Sequence, residues 1–239
     1  MNVVLKDPYI TIKSGDDFLY GGNQKRSPRE EIRTDGCGVI AACDMLSYLK
    51  GRIFFEKETY NARIDKLNKR YFPFRKNHGM SGLVLAAGVN LYMLRHPQMP
   101  CGRKTAVWGV PLEKRFQVIE EMLSENLPVI MSVGGDLPFF RPKVNNSKNN
   151  DGIKNSKCSE NSESSESSKS GLTLYKRQKD GRMIAAKSTS GHYMVITGKS
   201  DKWIRVSSWG EKYYINCREY MAYAKNQSFF LFTNILQLR

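Results

Sequence analysis

Thr34-Asp35-Gly36-Cys37-Gly38-Val39-Ile40-Ala41-Ala42-Cys43-Asp44-Met45-Leu46-Ser47-Tyr48-Leu49 places a thiol between two glycines at the head of an apolar run. Val39, Ala42, Met45, Leu46 and Leu49 recur at three- and four-residue spacing, which predicts a helix with one buried face and Cys37 in its first turn. Free backbone N–H groups and partial positive charge gather at that end of a helix, and both favour a thiolate over a thiol. The same N–H groups can hold an oxyanion, and the flanking glycines leave the sulfur approachable. A buried small hydrophobe is the competing account of Cys37, since free cysteines are usually buried.

Gly191-His192-Tyr193-Met194-Val195-Ile196-Thr197-Gly198 sets a histidine at the start of an apolar strand, more than 150 residues downstream. A cysteine on an early helix followed by a histidine on a late strand is the chain order of papain-like hydrolases.

With both blocks in view, the segment Gly36 to Leu49 resembles the cysteine helix of the papain-like superfamily. Within it the likeness is to the C39-like group, the bacterial peptidases related to those that trim double-glycine leader peptides. Gly191 to Gly198 resembles the histidine strand of that group, and Pro128 to Val133 a strand before it. Trp203-Ile204-Arg205-Val206-Ser207-Ser208-Trp209-Gly210 resembles the strand that follows, whose end carries the third catalytic group just before a Trp-Gly. Two positions depart from the family pattern. Ser207 stands where such families have Asp or Asn, and Val39-Ile40 replaces the Pro-Ser or Pro-Ala pair that often follows Cys-Gly. The resemblance implies a single papain-like domain over residues 1–239, of α+β class. N-terminal helices, the cysteine helix among them, would pack on a C-terminal antiparallel sheet.

It also implies a mechanism. Cys37 would attack a carbonyl, His192 would hold the thiol proton and return it to the leaving amine, and Ser207 would orient the ring. A hydroxyl can orient an imidazole but cannot stabilise the imidazolium as a carboxylate would. Ser207 is open to a merely structural account, with a water or Ser208 in its place. Papain-like enzymes carry a glutamine upstream whose N–H helps hold the oxyanion, and Gln24, in the polar loop Gly21-Gly22-Asn23-Gln24, is the candidate. A surface loop residue is the alternative. Glu31 cannot take that part, because an ionised carboxylate only accepts hydrogen bonds. The expected function is a cysteine-dependent hydrolase acting on a peptide or other amide bond. A catalytically silent papain-like fold used as a binding module is the other class in view.

The 239 residues include 40% hydrophobic and 11% aromatic residues, enough for a sizeable core. No run approaches the roughly 18 apolar residues of a membrane span. The N-terminus, with Lys6, Asp7 and Asp16, lacks a signal-peptide core, so the expectation is a cytoplasmic, bacterial-type protein. Cys37, Cys43, Cys101, Cys158 and Cys217 are odd in number and lack metal spacing, which favours reduced thiols. His78, His96 and His192 fall at no zinc-ligand spacing, so neither metal nor cofactor is expected.

A net charge of +15 suggests an anionic partner beside the peptide or protein substrate. Between Lys50 and Lys76 nine basic residues face three acidic ones, with Tyr60, Tyr71, Phe72 and Phe74 interleaved. Such a mixture can hold a nucleic-acid backbone, but no nucleic-acid-binding motif accompanies it. The bland account is a solvated helix face with core aromatics.

Periodicity predicts helices over Thr59–Lys69, Ser81–Leu94 and Leu112–Ser124, with Ser81 as a cap, and a buried strand over Val129–Val133. Residues 1–33 read as extended segments and a polar loop. From Asn145 to Ser170, nine Ser and six Asn fill 26 positions, a composition that predicts an insertion too polar to fold, either a lid or a decorative loop. A hairpin around Lys179-Asp180-Gly181 then returns the chain to strands Tyr193–Thr197, Trp203–Ser207 and Lys212–Ile215. A helix capped by Asn216 and a closing strand at Phe229–Phe232 complete the reading, with His192 and Ser207 as neighbours across antiparallel strands.

Overall fold

Residues 2–74, 79–99, 104–134, 171–226 and 232–239 are described by the computed structural model. Strands β1 (Val3–Val4), β2 (Thr11–Ser14) and β3 (Asp17–Tyr20) precede a 3-10 turn (Gln24–Arg26) and two consecutive helices, α1 (Glu30–Asp35) and α2 (Cys37–Tyr48). Strand β4 (Phe54–Glu56) runs straight into α3 (Lys57–Arg70), and α4 (Gly82–Leu94), β5 (Ala106–Trp108) and α5 (Arg115–Ser124) follow. The C-terminal half is mostly sheet: β6 (Val129–Val133), β7 (Leu172–Arg177), β8 (Met183–Thr189), β9 (His192–Lys199), β10 (Trp203–Ser208) and β11 (Glu211–Asn216). Helix α6 (Cys217–Lys225) and β12 (Asn234–Leu238) close it.

The large sheet has the order β5-β12-β6-β9-β10-β11-β7-β8, with β1 also paired to β9, and every pairing in it is antiparallel. A smaller sheet joins β3, β2 and β4. The fold is therefore α+β, helices first and antiparallel sheet second, as the sequence predicts.

Helix α2 sits between these layers. It packs on β6 and β9 on one side and on α1, α3 and α4 on others, and every residue from Gly38 to Tyr48 is buried. The sequence reading expects one buried face, whereas α2 is enclosed all round, as a helix with little polar surface tends to be. Fully burying a side chain such as Val39, Met45 or Leu46 contributes about 1.5–3 kcal/mol, so the helix carrying Cys37 is held by the core itself.

Other differences have local causes. Glu30–Asp35 is helical where a loop is expected. Glu30 and Glu31 lie in its first turn, where negative charge meets the positive end of the helix, and Arg33 Nη1 ties back to the carbonyls of Ser27 and Pro28 at 3.0 and 2.9 Å. A strand spans Asn234–Leu238; of the closing strand expected at Phe229–Phe232, residues 229–231 fall outside the described residues. Ser81 caps α4 by accepting from Val84 N–H at 3.3 Å, and Asn216 caps α6 by accepting from Arg218 N–H at 2.9 Å. The polar segment 145–170 lies outside the described residues.

In the basic stretch, Tyr60, Tyr71 and Phe72 are buried in the core, so these rings are not displayed for stacking on bases. Among the described residues no helix is long and apolar enough to cross a membrane, and no cluster of His, Cys, Asp and Glu could hold a metal ion.

Candidate active site

Gly36 is the N-cap of α2, which makes Cys37 its first helical residue. Backbone N–H groups of Cys37, Gly38 and Tyr193 approach the sulfur and favour its charged form, while Asp35 opposes it. Burial outweighs them and pushes the thiol above its ordinary value, although part of the residue remains open to solvent. One wall beside it is apolar. A Cβ on Gly38 would lie 3.4 Å from both Met80 and Tyr193, and Tyr193 donates its hydroxyl to the Met80 carbonyl at 3.0 Å.

His192 opens β9 and is 7% exposed. Its ring stacks on Trp209 at 4.2 Å with 12° between the planes, and its Nε2 shares a 2.8 Å hydrogen bond with Ser208 Oγ. Burial, reinforced by the positive charges of Lys25 and Lys187, lowers its pKa to about 3. Burial therefore disfavours the charged form of both side chains, the thiolate and the imidazolium.

The hydroxyl on the imidazole belongs to Ser208 and not to Ser207. Ser207 Oγ donates to the Tyr20 carbonyl at 2.8 Å. Register explains the exchange. Ile204↔Lys199 and Arg205↔Gly198, continued without interruption, would pair Ser207 with Ile196 and put it on the His192 side of the sheet. A shift between Arg205 and Val206 pairs Ser207 with Val195 instead, which turns its side chain to the opposite face and leaves Ser208 on that of His192.

Trp209 and Gly210 form a two-residue hairpin turn between β10 and β11, with φ of 49° and 77°. Both angles positive is the geometry such turns favour. A bulky residue at positive φ is uncommon and strained, and here it carries the ring that covers His192.

Gln24 begins the 3-10 turn, which Asn23 caps by accepting from Lys25 N–H at 3.0 Å. One N–H of its amide donates to the Arg33 carbonyl at 3.0 Å. Glu31 is ion-paired with Arg29. Gln24, Cys37, His192, Ser207 and Ser208 nevertheless line one small cavity, together with Gly22, Asp44, Tyr193 and Trp209.

Sequence reasoning passed over Asp44 and used Trp209 only as the landmark after the third catalytic position. The signal for Asp44 was present: a carboxylate seven residues after Cys37 on an otherwise apolar helix stands on nearly the same side. It is 2% exposed and accepts from Tyr60 Oη at 2.5 Å, Gly22 N–H at 2.9 Å and Tyr9 Oη at 3.3 Å. Burial nonetheless raises its pKa to about 6.

No family model matches the chain, and no curated protein matches it either. One solved structure is similar. It is the crystal structure described as a "putative C39-like peptidase" from Bacillus anthracis, aligned over 100% of this chain and 98% of that one, with a TM-score of 0.48 and 11% identity. At that distance the likeness transfers no residue role, so the chemistry rests on this chain's own side chains.

Proposed function

We propose that the protein is a papain-like cysteine hydrolase that cleaves a peptide or other amide bond through Cys37 and His192. The carrying observation is the shared cavity, in which a thiol at a helix N-terminus and an imidazole with one nitrogen engaged by Ser208 are brought together from opposite ends of the chain.

With Nε2 engaged, Nδ1 is the nitrogen left to take the Cys37 proton. As it does, the sulfur bonds to the substrate carbonyl carbon and the C=O π electrons move to oxygen. The Cys37 N–H and the second amide N–H of Gln24 would hold that oxyanion. Collapse expels the amine, which takes the proton from His192, and water then hydrolyses the thioester with His192 as base. Because burial disfavours both the thiolate and the imidazolium, proton transfer accompanies attack rather than preceding it.

A peptide or protein substrate fits this chemistry. Lys25 and Lys187, whose charges act on His192, would favour an acidic segment near the bond. We place the protein in a reducing cytoplasm, on the odd number of unmatched cysteines.

Alkylation by iodoacetamide followed by peptide mapping tests the proposal. Alkylation of Cys37 near neutral pH should depend on the imidazole, so His192→Ala should slow it. Equal rates with and without His192 would reject a working pair. The binding-module reading, favoured by a hydroxyl standing where a carboxylate would serve catalysis better, would then remain.

A further inference from the structure

We propose that Asp44 is a positioning residue: its carboxylate anchors the peptide of Gly22, and through it both the Gln24 loop and the Trp209–Gly210 turn, around the Cys37–His192 pair. This inference rests on the reading of Cys37 and His192 as the reacting pair.

The connection runs through one residue. Gly22 N–H donates to Asp44 Oδ2 at 2.9 Å, and Gly22 O accepts from Gly210 N–H at 2.9 Å. Gly210 O accepts in turn from Tyr20 N–H at 2.8 Å. The neighbour of Gly210 is Trp209, whose ring lies on His192. Two residues beyond Gly22 is Gln24, in the same cavity as the thiol. A single carboxylate on the cysteine helix thereby ties together elements from three distant parts of the chain.

The contact is tight enough to transmit a change. A Cβ on Gly21 would lie 2.2 Å from Ser207 Oγ and 2.6 Å from Asp44 Oδ2. On Gly22 it would lie 2.1 Å from the Tyr60 hydroxyl and 2.6 Å from Ile40 Cγ2. The loop therefore has no room to slide on α2 while Asp44 holds it.

An ionised carboxylate accepts stronger hydrogen bonds than a protonated one, which must also give up an acceptor site to its own proton. The titratable groups facing Asp44 are Tyr9, Tyr20 of β3, Tyr60 of α3 and Cys43 of its own helix. All have pKa values above their ordinary ones, so all are neutral in mild acid. Arg63 of α3, which acts on Cys43, is bonded to Ser47 Oγ at 2.8 Å and to the Tyr92 hydroxyl at 3.3 Å. Among the described residues none of the hydrogen-bond partners of Asp44 is a cation, so its own ionisation near pH 6 sets the strength of the anchor.

The test is the rate of Cys37 alkylation by iodoacetamide from about pH 5 to 8, in wild type, Asp44→Asn, Tyr60→Phe and His192→Ala, each checked for cooperative melting. The wild-type rate divided by that of Asp44→Asn should climb about tenfold as pH passes through about 6. Tyr60→Phe removes a donor to the charged form, so its own step should move up by about one pH unit. A merely structural role would move neither. A ratio independent of pH, or a step unmoved in Tyr60→Phe, overturns the proposal, and the Tyr60→Phe arm decides alone if Asp44→Asn does not fold. A His192→Ala profile identical to wild type instead overturns the Cys37–His192 reading on which the proposal rests. A rate that depends on His192 without any Asp44 step overturns the anchor alone.

Discussion

Ser208 Oγ lies 2.8 Å from His192 Nε2, while the neighbouring Ser207 gives its hydroxyl to the carbonyl of Tyr20 at the same distance. Two adjacent serines on one strand thus serve opposite faces of the sheet, one towards the imidazole and one towards the buried group around Asp44.

Ser208→Ala should slow Cys37 alkylation about fivefold to tenfold, the equivalent of one hydrogen bond of about 1 kcal/mol. Ser208→Asp should raise the pKa of His192, because a carboxylate facing the ring favours the imidazolium. Ser207→Ala should leave the alkylation profile within twofold and lower the melting temperature. Alkylation rates against pH, with melting curves for each variant, separate the two serines. A larger rate loss for Ser207→Ala than for Ser208→Ala would contradict the assignment.

The imidazole of His192 should remain neutral until pH falls to about 3. Trp209→Ala uncovers it, relieving the desolvation that disfavours the charged form, so the midpoint should climb towards the ordinary 6.5. Ring 15N chemical shifts give the answer directly, since the chain has only three histidines. An unchanged midpoint in Trp209→Ala would show that the tryptophan is not what keeps water from the ring.

Stability should carry two opposed pH dependences. Asp44 has a folded pKa of about 6 against an ordinary 3.8, so its contribution is complete below the lower value and lost as pH rises through the higher, about 3 kcal/mol in all. His192, at about 3 against 6.5, contributes fully above the ordinary value and loses that contribution as pH falls, up to about 5 kcal/mol. Between about pH 4 and 6 each group changes by up to one proton, with opposite sign. Relative to wild type, the melting temperature of Asp44→Asn should therefore rise with pH across this window and that of His192→Gln should fall. Parallel curves for all three proteins would rule out both shifts.

Gly22→Ala should cost about 1–3 kcal/mol, because the added methyl meets the Tyr60 hydroxyl and Ile40. Gly51→Ala makes a useful contrast: a Cβ there meets nothing within 4 Å, so its cost comes only from a φ of 68°. Denaturant melts of both variants provide the check. A Gly22→Ala protein as stable as wild type would mean that the loop can move away from α2.

Much of the architecture was legible because it rests on local periodicity. The three- and four-residue spacing after Val39 marks α2, the apolar run after His192 marks β9, and Ser81 and Asn216 announce the starts of α4 and α6. Short elements such as α1, β4 and β5 were not legible. Their few residues hold too little pattern, and what fixes them is distant: β4 is aligned by β2 and β5 by β12.

By itself, the sequence determined that a cysteine would open a helix with a buried face and that a histidine would open a strand late in the chain, since both follow from residues adjacent in the chain. Tertiary structure alone decided which serine meets the imidazole, because side chains alternate along a strand and a one-residue register shift at Arg205/Val206 exchanges the faces. It also decided which way burial pushes the thiol of the site. Desolvation belongs to the surroundings of a group rather than to its identity, so the helix end that favours a thiolate is outweighed at Cys37 by the protein packed around it. The anchoring of Gly22 by Asp44 is of the same kind, since the donors that make a buried carboxylate tolerable arrive from Tyr9, Gly22 and Tyr60, and only folding brings them to it.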